Sequence, residues 1–548
     1  MIKGRTGFIE FSRRAAEETC DRCEKWGGWH DGERNRPLSF DAGAKISSPK
    51  VIFALAVAVT AGVRLYLLWQ YYCISSDGIH YIEAARHFYV GDIKEGLGSV
   101  YPPAYPSMIA AVYPLIGDWE LSGQIISIVC GVVLLFPLYA LCQEFYGEKV
   151  ALLACFLAAI NPYLARYAIH VRTESPFFFL STLALLLFCR GMTQGKASRF
   201  FYGGLVAGFA YLVRPEAIGF LIIVPVALVL TWWFKPGHNA VWVGKACLLL
   251  FVGFFLFALP YIIYLSTASG QWGAVSRKAG VTFQIAMKES GLLENEDNQT
   301  LVDLDSLTLL QFVIQHPLLY AKKVLLDLFP SIAIYFEALH YVYVPFLLIG
   351  LFFILRDKFW LRKDFLLLWF FLFYLVGFAL IFVRRRYLIQ LVTISLPWTA
   401  LGALWCWTSL QQRISLRTFR IIAATAIAIF FAGTLPKTLK PISPEKAYVR
   451  EAGRYLKKLN GPGDLTVFVF DDRITFYGDA KAILLSHLDE AKLLDQIRHR
   501  KALYLATEIK PWQQRFPKIA SDPAGYGLVM DKEFRGSNKD RLIIFKLV

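Results

Sequence analysis

Four short stretches place chemically capable side chains beside long apolar segments. Ser75-Ser76-Asp77-Gly78-Ile79-His80-Tyr81 puts a carboxylate where the first apolar run returns to water. Arg172-Thr173-Glu174 and Arg214-Pro215-Glu216 each set a glutamate two residues after an arginine, and Arg384-Arg385-Arg386-Tyr387 opens a late apolar run. Ionisable groups at the margin of a membrane helix are costly unless paired, wetted or functional. Forked guanidinium donors suit a phosphate or diphosphate at headgroup depth, and a carboxylate can take the proton of an attacking hydroxyl. Each stretch also has a plainer reading. Asp77 is a preferred helix N-cap, Arg172 and Glu174 could simply pair at a helix end, and Pro215 suits the first turn of a helix. Arginines at a membrane edge can reach headgroups, and Lys322 and Lys323 fit a solvated helix face as well as an added charge.

The elements that would position these groups are membrane helices. The chain has 548 residues, 56% hydrophobic, 16% aromatic and only 18% charged, with a mean hydropathy of +0.45. A soluble protein could not hide that much apolar surface. Apolar runs of roughly 20 residues recur, separated by short basic connections. The first is Val51–Tyr72; further candidates are 122–144, 150–168, 171–190, 200–213, 216–234, 246–266, 338–355, 365–383, 388–410 and 420–436. That makes about eleven spans. The net charge of +16 lies in the connections, where lysine and arginine set orientation, so a nucleic-acid partner is not expected.

With residues 1–48 as a basic cytoplasmic tail, the inner connections hold Lys149; Arg190, Lys196 and Arg199; Lys235 and Lys245; Arg356, Lys358, Arg362 and Lys363; and Arg413, Arg417 and Arg420. Every inner turn is then basic, as the orientation rule requires. Asp77, Arg172, Glu174, Arg214, Glu216 and the 384–386 arginines all fall outside, Asp77 in outer loop 73–120 and the others at short outer turns, in a membrane domain spanning 49–438 whose second long outer loop is 267–337. Arginines clustered on the outer side run against that rule and call for a ligand. Within loop 73–120, the apolar spacing from Gly78 to Tyr89 predicts a helix along the membrane surface, and Tyr101-Pro102-Pro103-Ala104-Tyr105-Pro106 marks a turn back to the bilayer. Loop 267–337 carries Glu289, Glu294, Glu296, Asp297, Asp303 and Asp305, an Asn298-Gln299-Thr300 glycosylation pattern, and an amphipathic stretch from Leu307 to Leu328 that Pro317 breaks or starts.

Residues 439–548 change character: helical Glu445–Leu459 and Asp489–His499 alternate with apolar Leu465–Phe470, Ala502–Ala506 and Arg541–Leu547, predicting a small extracytoplasmic α/β domain. Gly461-Pro462-Gly463 lacks the further glycine and acidic residue of a dinucleotide site and reads as a turn. No cleavable signal peptide is expected before residue 50. Of nine cysteines, Cys73, Cys130, Cys142, Cys155, Cys189, Cys247 and Cys406 fall in or beside apolar runs and read as small buried hydrophobes, while Cys20 and Cys23 form one CxxC without a second pair for zinc.

A carboxylate pair and several arginines at one outer membrane face are what transfer of a sugar from a lipid phosphate needs: cations stabilise the departing phosphate and a carboxylate accepts the incoming proton. The order and spacing of the motifs resemble the GT-C superfamily of polytopic glycosyltransferases, particularly the branch with protein O-mannosyltransferases and the lipid A aminoarabinose transferase. The resemblance rests on Ser76-Asp77-Gly78-Ile79-His80-Tyr81 with Ala84-Ala85, Tyr101-Pro102-Pro103 with Tyr105-Pro106, Asn161-Pro162 with Arg172-Thr173-Glu174-Ser175-Pro176, Arg214-Pro215-Glu216, His316-Pro317 and Arg386-Tyr387. It covers roughly residues 50–410. It implies an inverting transferase using a polyprenyl-phosphate sugar, with Asp77 at the catalytic aspartate position, Glu174 at the second acidic position and Arg386 near the lipid phosphate. The chain departs from the eukaryotic mannosyltransferases in having Asp77-Gly78 rather than an Asp-Glu pair and no inserted luminal β-domain, which favours a bacterial envelope glycan or lipid as acceptor.

The expected site is thus Asp77 and Glu174 as catalytic groups, with Arg172, Arg214, Glu216, Arg384, Arg386, Tyr387 and Tyr81 binding substrate. No cofactor is expected, although paired carboxylates could coordinate a divalent cation. The expected partners are the lipid-linked donor, membrane lipids and a glycan, lipid or protein acceptor, in the cytoplasmic membrane. A flippase for a lipid-linked glycan is the alternative; such transporters carry broken helices and midplane charges, commonly in repeated halves, and no repeat is visible here.

Overall fold

The ends of apolar helices are where this chain concentrates its polar side chains, and the fold gathers several of those ends at one place. The computed structural model describes residues 48–234, 239–270, 275–277, 313–314, 317–356, 364–459, 465–499, 501–537 and 540–548. Cys20 and Cys23, the acidic part of loop 267–337 with its Asn298 pattern, His316, Lys235, Lys358, Arg362, Lys363 and the Gly461-Pro462-Gly463 turn lie outside them.

Seven described helices are long and apolar enough to cross a bilayer: Pro49–Trp69, Trp119–Tyr146, Glu174–Gln194, Pro215–Phe234, Ala240–Ser269, Arg385–Arg413 and Leu416–Thr438. A further pair, Tyr320–Leu339 and Tyr341–Leu355, passes together but bends by 92°, and Ala104–Ile116 and Phe365–Ile381 are shorter apolar helices. The protein is a polytopic membrane protein.

Two expected spans are interrupted, both for reasons local to one residue. The 150–168 run is a helix Glu148–Ile160, a break, and a short helix Pro162–Tyr167. Pro162 cannot continue a helix but suits a first turn, and the Asn161 side chain accepts from the amides of Tyr163 and Leu164, both at 3.1 Å. The same side chain donates to the Leu339 carbonyl at 3.0 Å, beside the second break. There His340, at φ 80, divides the expected 338–355 span, because an L-residue in the left-handed region ends the helical path. One asparagine thus serves two chain breaks.

The short span expected at 200–213 is the helix Ser198–Val213, which packs closely on Ala240–Ser269. A Cβ added at Gly204 or Gly208 would strike the carbonyls of Leu250 or Phe254. Small residues let membrane helices approach closely enough for van der Waals packing to hold them.

Loop 73–120 folds into three helices, Ser76–Tyr89, Ile93–Gly98 and Ala104–Ile116. The C-terminal part is a five-stranded mixed sheet of β1 (Thr466–Val469), β2 (Lys481–Leu484), β3 (Tyr504–Glu508), β4 (Leu528–Arg535) and β5 (Arg541–Leu547), in the order β2-β1-β3-β5-β4. β1 pairs in parallel with β2 and β3, and β5 runs antiparallel between β3 and β4. Sequence periodicity predicted β1, β3 and β5; β2 and β4, exposed over much of their length, were not predicted.

Residues 49–548 form one compact unit, and the sheet domain is held to the helices by a buried polar junction. Glu120, in the first turn of Trp119–Val133, the first part of the Trp119–Tyr146 span, pairs with Arg450 at 2.8 Å and accepts from the Tyr477 hydroxyl at 2.9 Å. The Ile74 amide donates to the same Tyr477 oxygen at 2.7 Å, and backbone bonds link Gln70 and Tyr72 to Ile442. The residues preceding Asp77 are thereby fixed against the domain.

Candidate active site

Asp77 is the second residue of Ser76–Tyr89. It is not the N-cap: Ser75 takes that role, its hydroxyl accepting from the Gly78 amide at 3.3 Å. Freed from capping, the Asp77 carboxylate accepts from the Tyr101 hydroxyl at 3.0 Å through one oxygen and from Arg386 at 2.6 Å through the other. Arg172 lies 3.8 Å from the second oxygen and donates through Nε to the Ser75 hydroxyl at 3.2 Å, so cap and carboxylate share one guanidinium. Burial raises the Tyr101 pKa, and the Asp77 charge and hydrogen bond raise it further. Tyr101 therefore remains a protonated donor at neutral pH. Burial opposes the charge on Arg172, but Glu174 and Asp77 outweigh it and leave its pKa raised.

Glu174 opens the helix Glu174–Gln194 and is 3% exposed. Its partner is Arg214 at 3.3 Å, which also binds Glu216 at 2.6 Å. The Arg214 guanidinium lies between the rings of Phe177 and Tyr387, 5.6 and 5.2 Å from their centroids. A buried arginine between two carboxylates and two aromatic faces is a fixed cation: removing it would strand a buried charge. Arg386 donates to the Tyr387 hydroxyl at 3.2 Å and lies 5.1 Å from that ring, which ties the two arginine groups together.

These side chains surround one cavity of about 240 Å³. Asp77, Tyr81, Glu174, Arg214, Glu216, Arg386 and Tyr387 all line it, with Tyr101, and the remaining wall is largely apolar, formed by residues such as Val213, Ile218, Phe378 and Phe382. Of the expected site residues, Arg172 reaches the cavity only through Asp77, and Arg384 lies over the Phe382 ring at 4.7 Å. Arg385 turns to Glu337 and the Tyr163 hydroxyl instead. Asp77, Glu174 and Arg386 all sit in first helical turns, where backbone N–H groups and the helix dipole favour an anion. Among the described residues no three His, Cys, Asp or Glu side chains come together as metal ligands.

Four residues at or beside the site were given no role by the sequence reading. Tyr101 was visible in a proline turn and in one of the resembling motifs but with no role of its own, and Val275 and Ser276, which also line the cavity, fall in no motif. Arg277 donates to the carbonyls of Leu97 and Gly98, at 3.1 and 2.7 Å, just before the Tyr101 turn. An isolated arginine in a loop gives no signal of such a contact.

Residues 100–264 match the family model described as dolichyl-phosphate-mannose-protein mannosyltransferase. No curated protein matches the sequence. Among solved structures, the Archaeoglobus fulgidus oligosaccharyltransferase complexed with Zn and sulfate aligns with a TM-score of 0.56 at 13% identity, over 84% of this chain and 68% of that one. The archaeal oligosaccharyltransferase AglB from Archaeoglobus fulgidus, in complex with an inhibitory peptide and a dolichol-phosphate, aligns with a TM-score of 0.55 at 11% identity, over 90% and 74%. ArnT from Cupriavidus metallidurans bound to undecaprenyl phosphate aligns with a TM-score of 0.55 at 10% identity, over 92% of this chain and 99% of that one. With its apolar helices and appended C-terminal sheet, the protein has the fold of the GT-C polytopic glycosyltransferases, the superfamily its motifs resemble.

Proposed function

We propose that the protein transfers a sugar from a polyprenyl-phosphate-linked donor to a hydroxyl of an envelope glycan, lipid or protein, with inversion, at the outer face of the cytoplasmic membrane. The observation that carries the proposal is the 2.6 Å pair between Asp77 and Arg386 in a cavity with an otherwise largely apolar wall. A donor phosphate offers Arg386 a more highly charged, bidentate partner than a carboxylate. Arg386 then exchanges Asp77 for phosphate, and Asp77, held in place by Tyr101, becomes available as the base.

The acceptor oxygen attacks the anomeric carbon on the face opposite the phosphate while Asp77 takes its proton. The bond from that carbon to the phosphate oxygen breaks, and its electron pair leaves with the polyprenyl phosphate. Arg386 and Arg172 stabilise the charge that develops there. Glu174 and Glu216 hold Arg214, and through Tyr387 they hold Arg386, so Glu174 acts on orientation. The reaction as drawn needs no metal. ArnT and AglB structures with bound polyprenyl phosphates support a carrier of the same chemistry here, and the positive-inside pattern of the connections supports the orientation.

The test supplies purified protein in liposomes with a radiolabelled polyprenyl-phosphate sugar and an envelope extract. A new glycosidic bond is expected; movement of the lipid between leaflets without bond formation would replace this reading with the flippase one. Mass spectrometry of envelope glycans and lipids from a strain lacking the protein would then identify sugar and acceptor.

A further inference from the structure

The helix Phe365–Ile381 ends where the cavity begins. The last carbonyls of a helix have no intrahelical donors, and here the next residues cannot supply any, because Phe382 and Arg384 are extended at φ −160 and −140. The donors come from another element. Lys323, on Pro317–Leu339, bonds through Nζ to the carbonyls of Ala379, Leu380 and Ile381 at 3.1, 3.3 and 2.9 Å. Tyr320, one turn earlier, donates to Leu380 at 2.9 Å. The Lys323 side chain is 0% exposed and pairs with Asp327 at 3.2 Å. A buried ammonium on a helix C-terminus satisfies the carbonyls and complements the dipole.

That helix end leads directly into the site. Phe378, Ile381 and Phe382 line the cavity, and Arg386 stands five residues after Ile381. The same helix, Pro317–Leu339, holds the far side of the segment through Glu337 and Arg385. It therefore grips the chain on both sides of the Phe382–Arg384 link, and both grips are polar.

Resting on the reading that Arg386 takes the donor phosphate, we propose that Lys323 is a positioning residue for Arg386: it fixes the end of Phe365–Ile381 so that the arginine is presented ready-formed to the phosphate. Lys323 touches no substrate. Outer contacts that orient a ligand-binding side chain typically change affinity by 10–100-fold when removed, as in metal sites.

The experiment measures binding of a fluorescent short-chain polyprenyl phosphate to the full-length protein in nanodiscs, together with the thermal midpoint, for Lys323→Met, Tyr320→Phe, Lys322→Met and Arg386→Gln. Lys323→Met keeps most of the stem and removes the donors; it should weaken binding about ten-fold, with donor KM rising more than kcat falls. Tyr320→Phe should weaken it about two-fold to three-fold, and Lys322→Met, at an exposed neighbour, should not. A folded Lys323→Met protein that binds within two-fold of wild type while Arg386→Gln loses binding would overturn the positioning role alone. If Lys323→Met does not fold, Tyr320→Phe decides, and unchanged affinity there overturns the proposal. Wild-type affinity in Arg386→Gln would overturn the phosphate reading and this inference with it.

Discussion

Replacing Arg386 with glutamine keeps a hydrogen-bonding side chain of similar reach but removes the charge and the guanidinium fork. In the resting protein the loss is small: Asp77 is 25% exposed, keeps its 3.0 Å bond from Tyr101, and retains Arg172 at 3.8 Å. Water can cover much of the vacated oxygen, so stability should change by less than about 1 kcal/mol. The loss falls on the phosphate. A hydrogen bond to a charged group contributes about 1.5–3 kcal/mol, and the Asp77 carboxylate, without its Arg386 partner, now faces the incoming anion. A net loss of about 2 kcal/mol corresponds to about thirty-fold weaker binding. Arg386→Lys should recover part of this, since it restores charge without the fork. Titrating a fluorescent polyprenyl phosphate into nanodisc-held protein measures both variants, with differential scanning fluorimetry reporting stability. Binding of Arg386→Gln within three-fold of wild type would refute the assignment of Arg386 to the phosphate.

Other perturbations test other parts. Arg450→Met strands the buried Glu120 carboxylate and should lower stability by about 3 kcal/mol, read as a fall in thermal midpoint; a second Glu120→Gln substitution should restore part of it. His80 has a raised pKa, chiefly through its hydrogen bond to Glu83, so its contribution to stability is full below its unfolded value of about 6.5 and is lost as pH rises through the higher folded value. At 49% side-chain exposure solvent screening keeps the effect below about 0.5 kcal/mol; the fall in thermal midpoint between pH 6 and 8 should shrink in His80→Gln. Incubation with EDTA followed by metal-free transfer assay should leave the rate unchanged, because each site carboxylate has an arginine for its counter-charge; loss restored by a divalent cation would contradict the metal-free scheme.

Much of this was legible in the sequence because membrane helices announce themselves by length and composition, and because charge at their ends is rare enough to stand out. Asp77, Glu174, Arg214, Glu216 and Arg386 were each visible as an ionisable residue at the margin of an apolar run, and the structure brings them around one cavity. The divisions of labour among them were suggested by the family resemblance alone and were not visible in the residues themselves. Nothing in Ser75-Ser76-Asp77 says which residue caps the helix, and nothing in Arg384-Arg385-Arg386 says which arginine turns inward; both depend on the register at which a helix starts. Lys323 reads as a solvated lysine because its partners are backbone carbonyls 56 to 58 residues away, and carbonyls leave no mark on a sequence. Pro162 marked the break at Asn161 within an otherwise apolar run, whereas the break at His340 was hidden in a run apolar enough to continue. The Glu120 junction was missed for the same reason as Lys323: its partners, Arg450 and Tyr477, are 330 and 357 residues distant.

The central claim is that Asp77 is the base. Asp77→Asn preserves the shape and the acceptor for Tyr101 while removing the charge, and it relieves Arg386 of its carboxylate partner. Transfer of radiolabel from a polyprenyl-phosphate sugar should fall by about 10²–10⁴-fold while affinity for polyprenyl phosphate stays equal or rises, since phosphate no longer competes with Asp77 for the arginine. Full transfer activity in Asp77→Asn, at unchanged donor affinity, would contradict the account.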